Sequence, residues 1–230
     1  MGRRALRKID PVLDLSRNLR TFEQLPRPWN PEALFGRGGP VELEVGSGKG
    51  LFLRTAAAAH PEINYLGVEI APRYARFAAA GLAKRSLTNA IVAIAHVGDV
   101  FDQLLPDESL AAIHIYFPDP WWKRRHQKRR IINEPFVRQL ERTLRFGGSL
   151  HFWSDVEEYF DLTLKLLAEH TRLEGPLPVP EATPTHDMDY RTHFERRTRL
   201  HGQQVYRAEF RKAARSGDRP ILRDDSATIA

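Results

Sequence analysis

Asp119 stands between Pro118 and Pro120 and is followed at once by Trp121, Trp122 and a run of six basic side chains, Lys123, Arg124, Arg125, Lys128, Arg129 and Arg130. A carboxylate on a proline-stiffened loop can accept hydrogen bonds or offset positive charge, indole faces can stack on flat groups, and arginines and lysines hold phosphates. Taken singly, each has an ordinary structural reading as a core residue or a solvated face. Their conjunction in one loop points to a functional site. A second group of candidates surrounds the glycines of Gly46-Ser47-Gly48-Lys49-Gly50. Glycines at Gly46 and Gly48 let a backbone approach a ligand closely, and Glu69 follows at the distance where nucleotide-binding folds place an acid for ribose hydroxyls. The spacing is GxGxG, and Lys49 is followed by glycine with no hydroxyl residue, so the phosphate loop of nucleoside triphosphatases is not matched.

These side chains need a scaffold that brings them together, and the chain between them alternates strand and helix patterns. Val41–Val45 reads as a strand, the glycines as a turn, and Leu51–Ala59 as a helix. Further strands are expected over residues 64–70, 90–97, 110–117 and 149–153, with helices over 72–86, from an Asn133 cap to 145, and over 156–171. Gly147-Gly148 are expected to end the second of these helices, and Ser154 or Asp155 to cap the third. The apolar run of residues 113–117 fits a strand buried on both faces of a parallel sheet, and the two prolines stop it while biasing the residue before each towards extended geometry. Residues 203–211 alternate as a last, antiparallel edge strand. The expected fold is α/β: a doubly wound, Rossmann-like, seven-stranded and mostly parallel sheet with the last strand antiparallel. Glu69, Asp99, Asp119 and Asp155 then fall at strand carboxyl ends, on the rim where such sheets bind ligands. Three of these acids, Glu69, Asp99 and Asp119, suit the polar edges of a nucleoside cofactor.

Composition limits the alternatives. With 35 Lys+Arg against 29 Asp+Glu the net charge is +6, and the excess is clustered at Arg3 to Lys8, Lys123 to Arg130 and Arg191 to Arg199, as a polyanion-binding protein requires. Cysteine is absent, which excludes disulfides, thiolate metal sites and thiol nucleophiles. No apolar run is long enough to span a membrane and no secretory segment is visible, so a cytoplasmic location is expected. Residues 1–40 read as a basic, partly irregular arm, 41–212 as one domain and 213–230 as a flexible tail, with prolines dominating a loop over 174–185.

The motifs LEVGSGKG, GVE, FPDPWWKRRHQKRR, SDVEEY and THFERR occur in the order found in bacterial tRNA (guanine-N7)-methyltransferases, and the chain resembles that family from about Val41 to Phe210. The PDPW-plus-basic stretch is the most specific of them, since many methyltransferases share the glycines. The resemblance implies a class I methyltransferase fold, S-adenosyl-L-methionine as cofactor, tRNA as partner, and formation of 7-methylguanosine at the variable-loop guanosine, tRNA position 46. It implies cofactor contacts at Glu44, Glu69, Asp99 and Asp119, with Asp119 catalytic, and substrate contacts at Lys123, Asp155, Thr192 and Glu195. It implies no metal and no membrane, and leaves monomer and homodimer open. The rival readings are another methyltransferase acting on RNA with the same cofactor, a nicotinamide dehydrogenase, and a non-catalytic RNA-binding protein on the same fold. A dehydrogenase would not need the basic loop, and a binding protein would not need three acids on one rim.

Overall fold

A computed structural model describes residues 6–121, 125, 130–180 and 190–213. Before the domain core, Leu19–Thr21 forms a short strand (β1) and Pro31–Phe35 a one-turn helix (α1) capped by Asn30, whose side chain accepts from the Ala33 N–H. The segment expected to be irregular thus adds an edge strand to the sheet, parallel to the strand at residues 90–94. The βα units follow in order: Val41–Val45 (β2), Leu51–Ala59 (α2), Asn64–Glu69 (β3), Pro72–Ala83 (α3), Ala90–Ile94 (β4), Val97–Gln103 (α4), Leu110–Tyr116 (β5), Glu134–Thr143 (α5), Leu144–Ser154 (β6) and Glu157–His170 (α6). The chain then adds Glu174–Leu177 (β7), His193–Leu200 (α7) and Tyr206–Arg211 (β8).

The eight strands lie in the order β1-β4-β3-β2-β5-β6-β8-β7. All pairs from β1 to β6 are parallel, and β8 runs antiparallel to both β6 and β7. Two expectations change. The sheet has eight described strands, because both the N-terminal segment and the proline-rich stretch after 174 contribute one. As a result β8 is an interior strand, covered at its outer side by β7. Strands β2, β3 and β5 are buried along their whole length, as the apolar run of β5 required, because helices cover both faces, and in β2 and β3 this buries Glu42, Glu44, Asn64 and Glu69 as well. Phe101, Phe136, Leu140 and Leu167 from α4, α5 and α6 fill one face, while Phe52, Leu53, Ala78 and Ala79 from α2 and α3 fill the other.

Three element ends move, each for a local reason. The apolar stretch read as a strand to residue 97 breaks at Ile94, and its continuation Val97, Val100, Phe101 is the inner face of α4. Helix α5 stops at Thr143, before the glycines. Strand β6 runs through Gly147 and Gly148, with a register shift between Leu110 and Ala112 on its partner β5. The third is at α6: its N-cap is Val156, so neither Asp155 nor Ser154 is the capping residue, although the Ser154 hydroxyl accepts from the Val156 N–H at 3.0 Å.

Candidate functional site

The strand order reverses between β2 and β5: β2 continues to β3 on one side and pairs with β5 on the other. The crevice outside the carboxyl ends of those strands is the usual ligand position in an open α/β sheet. Here the loop after β2 is the glycine loop and the loop after β5 carries Asp119.

Gly46, Gly48 and Gly50 all have left-handed backbone, at φ of 72°, 51° and 67°, which explains the residue type at the turn. A Cβ on Gly46 would meet nothing within 4 Å, so the backbone borders open space. The loop is held from behind. Gly46 N–H donates to the Val68 carbonyl at 2.8 Å, and Gly48 N–H donates to Glu69 Oε2 at 2.8 Å. Glu69 Oε1 accepts from the Ala71 N–H at 2.9 Å, so one carboxylate ties the glycine loop to the end of β3. Gly67 is needed for the same contact, since a Cβ there would run into the Ser47 and Leu53 side chains.

Beneath the loop, Glu44 Oε2 and Ser47 Oγ are buried without a hydrogen-bond partner. Burial pushes the Glu44 carboxyl well above the usual carboxylate range; the Ser47 hydroxyl, close by but outside hydrogen-bond geometry to Oε2, acts in the opposite direction, and the charge of Glu69 adds to the rise. Open space over a glycine turn, with two unsatisfied buried oxygens at its base and an ordered acid beside it, fits a polar ligand that carries hydroxyls and a cationic group. A raised folded-state pKa means that Glu44 contributes stability below the ordinary value of 4.5, and that this contribution is lost as pH rises through the folded pKa. Glu44→Gln does not titrate. In cofactor-free protein, denaturant midpoints measured across the pH range should therefore favour the variant increasingly above pH 4.5, and equal midpoints at all pH would refute the assignment.

Behind Glu44, on the same sheet face, Glu42 Oε2 lies 2.8 Å from His114 Nε2, and His114 Nδ1 lies 3.0 Å from the Tyr116 hydroxyl. A carboxylate only accepts, so Nε2 donates to it, and in the neutral ring Nδ1 accepts the Tyr116 proton. Burial holds the Tyr116 phenol far above its ordinary pKa, so it stays protonated at the crevice wall. Tyr116 is packed edge-on against Phe52 and Trp153, at 5.2 and 5.1 Å between ring centroids.

The Asp119 loop is pinned on both sides of the acid. Phe117 N–H donates to the Trp153 carbonyl at 2.9 Å, and Arg130 Nε donates to the Pro120 carbonyl at 2.7 Å. Phe117 and Trp121 have φ of 54° and 43°, which is costly for bulky residues, and at Phe117 it is opposite to the extended geometry expected of a residue before proline. Such outliers persist only where the surroundings impose them. Asp119 itself is exposed at the apex. Its charge reaches buried Tyr159, whose phenol is pushed up to about 12, mainly by burial, and Arg130, which lies 5.1 Å from that ring, acts in the opposite direction.

Asp99 is exposed in the first turn of α4, where it accepts from the Gln103 side chain at 3.2 Å, one helical turn beyond the strand end at which it was expected. Asp155 is half-buried at the end of β6. Burial raises its pKa and the Arg197 charge opposes the shift. Thr192 caps α7, its hydroxyl accepting from the Glu195 N–H at 2.9 Å. Glu195 is 2% exposed, and Oε2 accepts from the Arg191 N–H at 2.7 Å while Oε1 meets Arg199 at 3.3 Å and Arg207 at 3.5 Å. The Thr192 hydroxyl and Glu195 carboxylate thus both hold α7. Lys123, Trp122, Lys128 and Arg129 lie outside the described residues. Sequence reasoning treated Arg130 as one more phosphate contact; its side chain turns inward instead. It also missed Ser47, and the Phe117–Phe194 ring contact at 5.0 Å. Only the capping signature Thr192-x-x-Glu195 carried a sequence signal for α7. Among the described residues no group of three acids or histidines is arranged to hold a metal ion, and no helix is long and apolar enough to cross a membrane.

Comparison with known proteins agrees with this geometry. A family model described as "Putative methyltransferase" matches residues 38–208. A protein of Rhodopirellula baltica named tRNA (guanine-N(7)-)-methyltransferase is 49% identical over 218 residues, covering 92% of this chain and 80% of the relative. A protein of the same name from Sodalis glossinidius is 36% identical over 186 residues, covering 81% and 78%. Among solved structures, an antibiotic-related methyltransferase aligns with a TM-score of 0.54 at 16% identity, over 79% of this chain and 92% of that one. The 30S ribosomal A1408 methyltransferase from an uncultured bacterium aligns with a TM-score of 0.51 at 17% identity, over 78% and 91%. At those identities the structural likeness is one of fold.

Proposed function

The chain belongs to the tRNA (guanine-N(7)-)-methyltransferase family, and from that premise we propose that it methylates guanine N7 in tRNA with S-adenosyl-L-methionine, forming 7-methylguanosine at the variable-loop position 46. The observation that carries the reading is the placement of the latched glycine loop and the pinned Asp119 loop on the two sides of the sheet's switch point. When bound, the cofactor supplies an electrophilic methyl group on a sulfonium. Glu69 accepts from the ribose hydroxyls with lone pairs left over from its two backbone bonds, and Asp99 serves the exposed polar edge. Glu44 and Ser47, with buried oxygens beneath the glycine loop, would hold the cationic group, and the backbone of Gly46 and Gly48 would leave room for it.

Guanine N7 has a free lone pair, so no residue here needs to remove a proton from the nucleophile. The residues instead place the base in line and exclude water, a contribution of several kcal/mol in well-oriented sites. Asp119 lies where its negative charge follows the positive charge that passes to the purine. Asp155, relieved of any capping duty, accepts from the guanine N1–H and N2–H edge. Thr192 and Glu195 act through α7, which they hold in place. The basic side chains of the Asp119 loop and the N-terminal arm bind tRNA phosphates. The enzyme works in the cytoplasm, where its substrate is.

Incubation of the protein with labelled cofactor and bulk tRNA, followed by nuclease digestion, tests this directly. Label in 7-methylguanosine is expected, and label in any other nucleoside, or none, overturns the reading. Arg130 gives a separate prediction. Lys128→Ala and Arg129→Ala should each flatten the salt dependence of tRNA binding by about one unit of slope per lost phosphate contact. Arg130→Ala should leave that slope unchanged and lower the methyl-transfer rate, because its Nε holds Pro120 beside Asp119. A lowered slope for Arg130→Ala would show that it contacts phosphate.

A further inference from the structure

Helix α7 packs one aromatic side chain against the start of the Asp119 loop. Phe194 meets Phe117, two residues before Asp119, at 5.0 Å between ring centroids. Over the same Phe194 ring, at 4.6 Å from its centroid, lies the Arg197 guanidinium. Phe194 is only partly buried and Arg197 is exposed, so the stack is open to solvent beside the Asp119 loop. Asp155 directly follows the end of β6, which pairs with β5 and whose Trp153 carbonyl accepts from the Phe117 N–H.

A guanidinium and the N1–C2–N2 edge of guanine are the same chemical fragment: planar, donor-only towards a carboxylate, and able to stack on an aromatic face. We propose that Phe194 is the platform on which the target guanine stacks, and that Arg197 occupies that platform as an internal stand-in for the base until tRNA displaces it. This deepens the functional reading and rests on it. The Arg197 charge also opposes the burial shift at Asp155, the acid that would read guanine. Entry of a splayed-out base then exchanges one guanidine-like group on Phe194 for another, so the platform is never left bare to water and non-specific stacking on it is opposed. Tryptophans of the neighbouring loop are not needed for this stack.

The test is calorimetric binding of guanosine 5′-monophosphate to the full chain, with the parent, Arg197→Ala, Phe194→Leu and the double variant. Removing the internal occupant should tighten the nucleotide about two- to five-fold, the range for an exposed cation–π contact. Phe194→Leu should weaken it, and in the Phe194→Leu background Arg197→Ala should have no further effect. Weaker or unchanged binding by Arg197→Ala overturns the proposal, since Arg197 would then be a phosphate ligand or a bystander. A full Arg197→Ala gain persisting without Phe194 overturns it too, by moving the base site elsewhere. Recovery of 7-methylguanosine from tRNA treated with the parent protein separates the two levels. If it forms while the nucleotide results fail, only this inference falls; if it does not form, the functional reading falls and takes this inference with it.

Discussion

Asp119→Asn is expected to slow single-turnover methyl transfer to tRNA by about 10²–10³-fold at saturating cofactor, the loss found when one oriented electrostatic contact is removed from a reacting centre. The substitution keeps size and one acceptor oxygen. Asp119 is exposed, and the loop is held by Phe117 and Arg130 through backbone carbonyls, so folding stability should change little. What disappears is the negative charge that tracks the shift of positive charge onto the purine, and the new amide donor faces the donors of the guanine edge. Affinity for tRNA should stay close to the parent's, because phosphate contacts far outnumber this one. Rapid-quench measurement with labelled cofactor distinguishes the roles: a rate restored in full by more cofactor would make Asp119 a cofactor ligand and move the catalytic label elsewhere on the rim.

The strain around Asp119 supports this assignment from a different direction. Phe117 and Trp121 both adopt left-handed backbone, a cost of about 1–3 kcal/mol each, and the pins at Trp153 and Pro120 hold them there. A loop whose only task was to end β5 would not need two such residues. Their shared effect is to present the carboxylate outward between two fixed prolines.

The glycine loop, the strand before it and the Asp119 loop were legible in the sequence because their geometry is written into local backbone chemistry: glycine at left-handed positions, and proline where a ladder must stop. Asp99 was displaced because an apolar run cannot say where a strand turns into the inner face of a helix, and Val97 and Phe101 suit both. Arg130 was illegible for a more general reason. Six basic residues within eight read as one solvated patch, and Arg130 is set apart only by its packing against Tyr159 and Pro120. The resemblance placed Thr192 and Glu195 at the substrate, and in the fold both side chains also bond within α7 and its flanks. Sequence position identifies a residue that matters without saying whether it touches the ligand or holds what does.

That distinction is testable at Glu195. Its carboxylate is buried against Arg207, whose side chain is 8% exposed and whose guanidinium lies 4.9 Å from the centre of the Trp153 ring. Removing one partner of a buried pair typically costs about 3–5 kcal/mol, because the remaining charge keeps its desolvation without its compensation. Glu195→Ala also frees the Arg191 N–H and the Arg199 guanidinium from the same carboxylate. The loss need not appear in full as global instability: α7 is a short helix of eight residues between β7 and β8, so it can detach locally and cap the cost at its own unfolding free energy. The expected result is faster hydrogen exchange over residues 193–200 and loss of the Phe194 platform. Methyl transfer to tRNA should fall with it, while cofactor affinity stays near the parent's because the glycine loop and Glu69 are untouched. Glu195→Gln, which keeps the volume and one acceptor, should lie between the parent and alanine in exchange and rate together. If Glu195→Ala abolishes transfer while exchange in α7 and thermal stability match the parent, the carboxylate reads the substrate itself and its anchoring role is secondary.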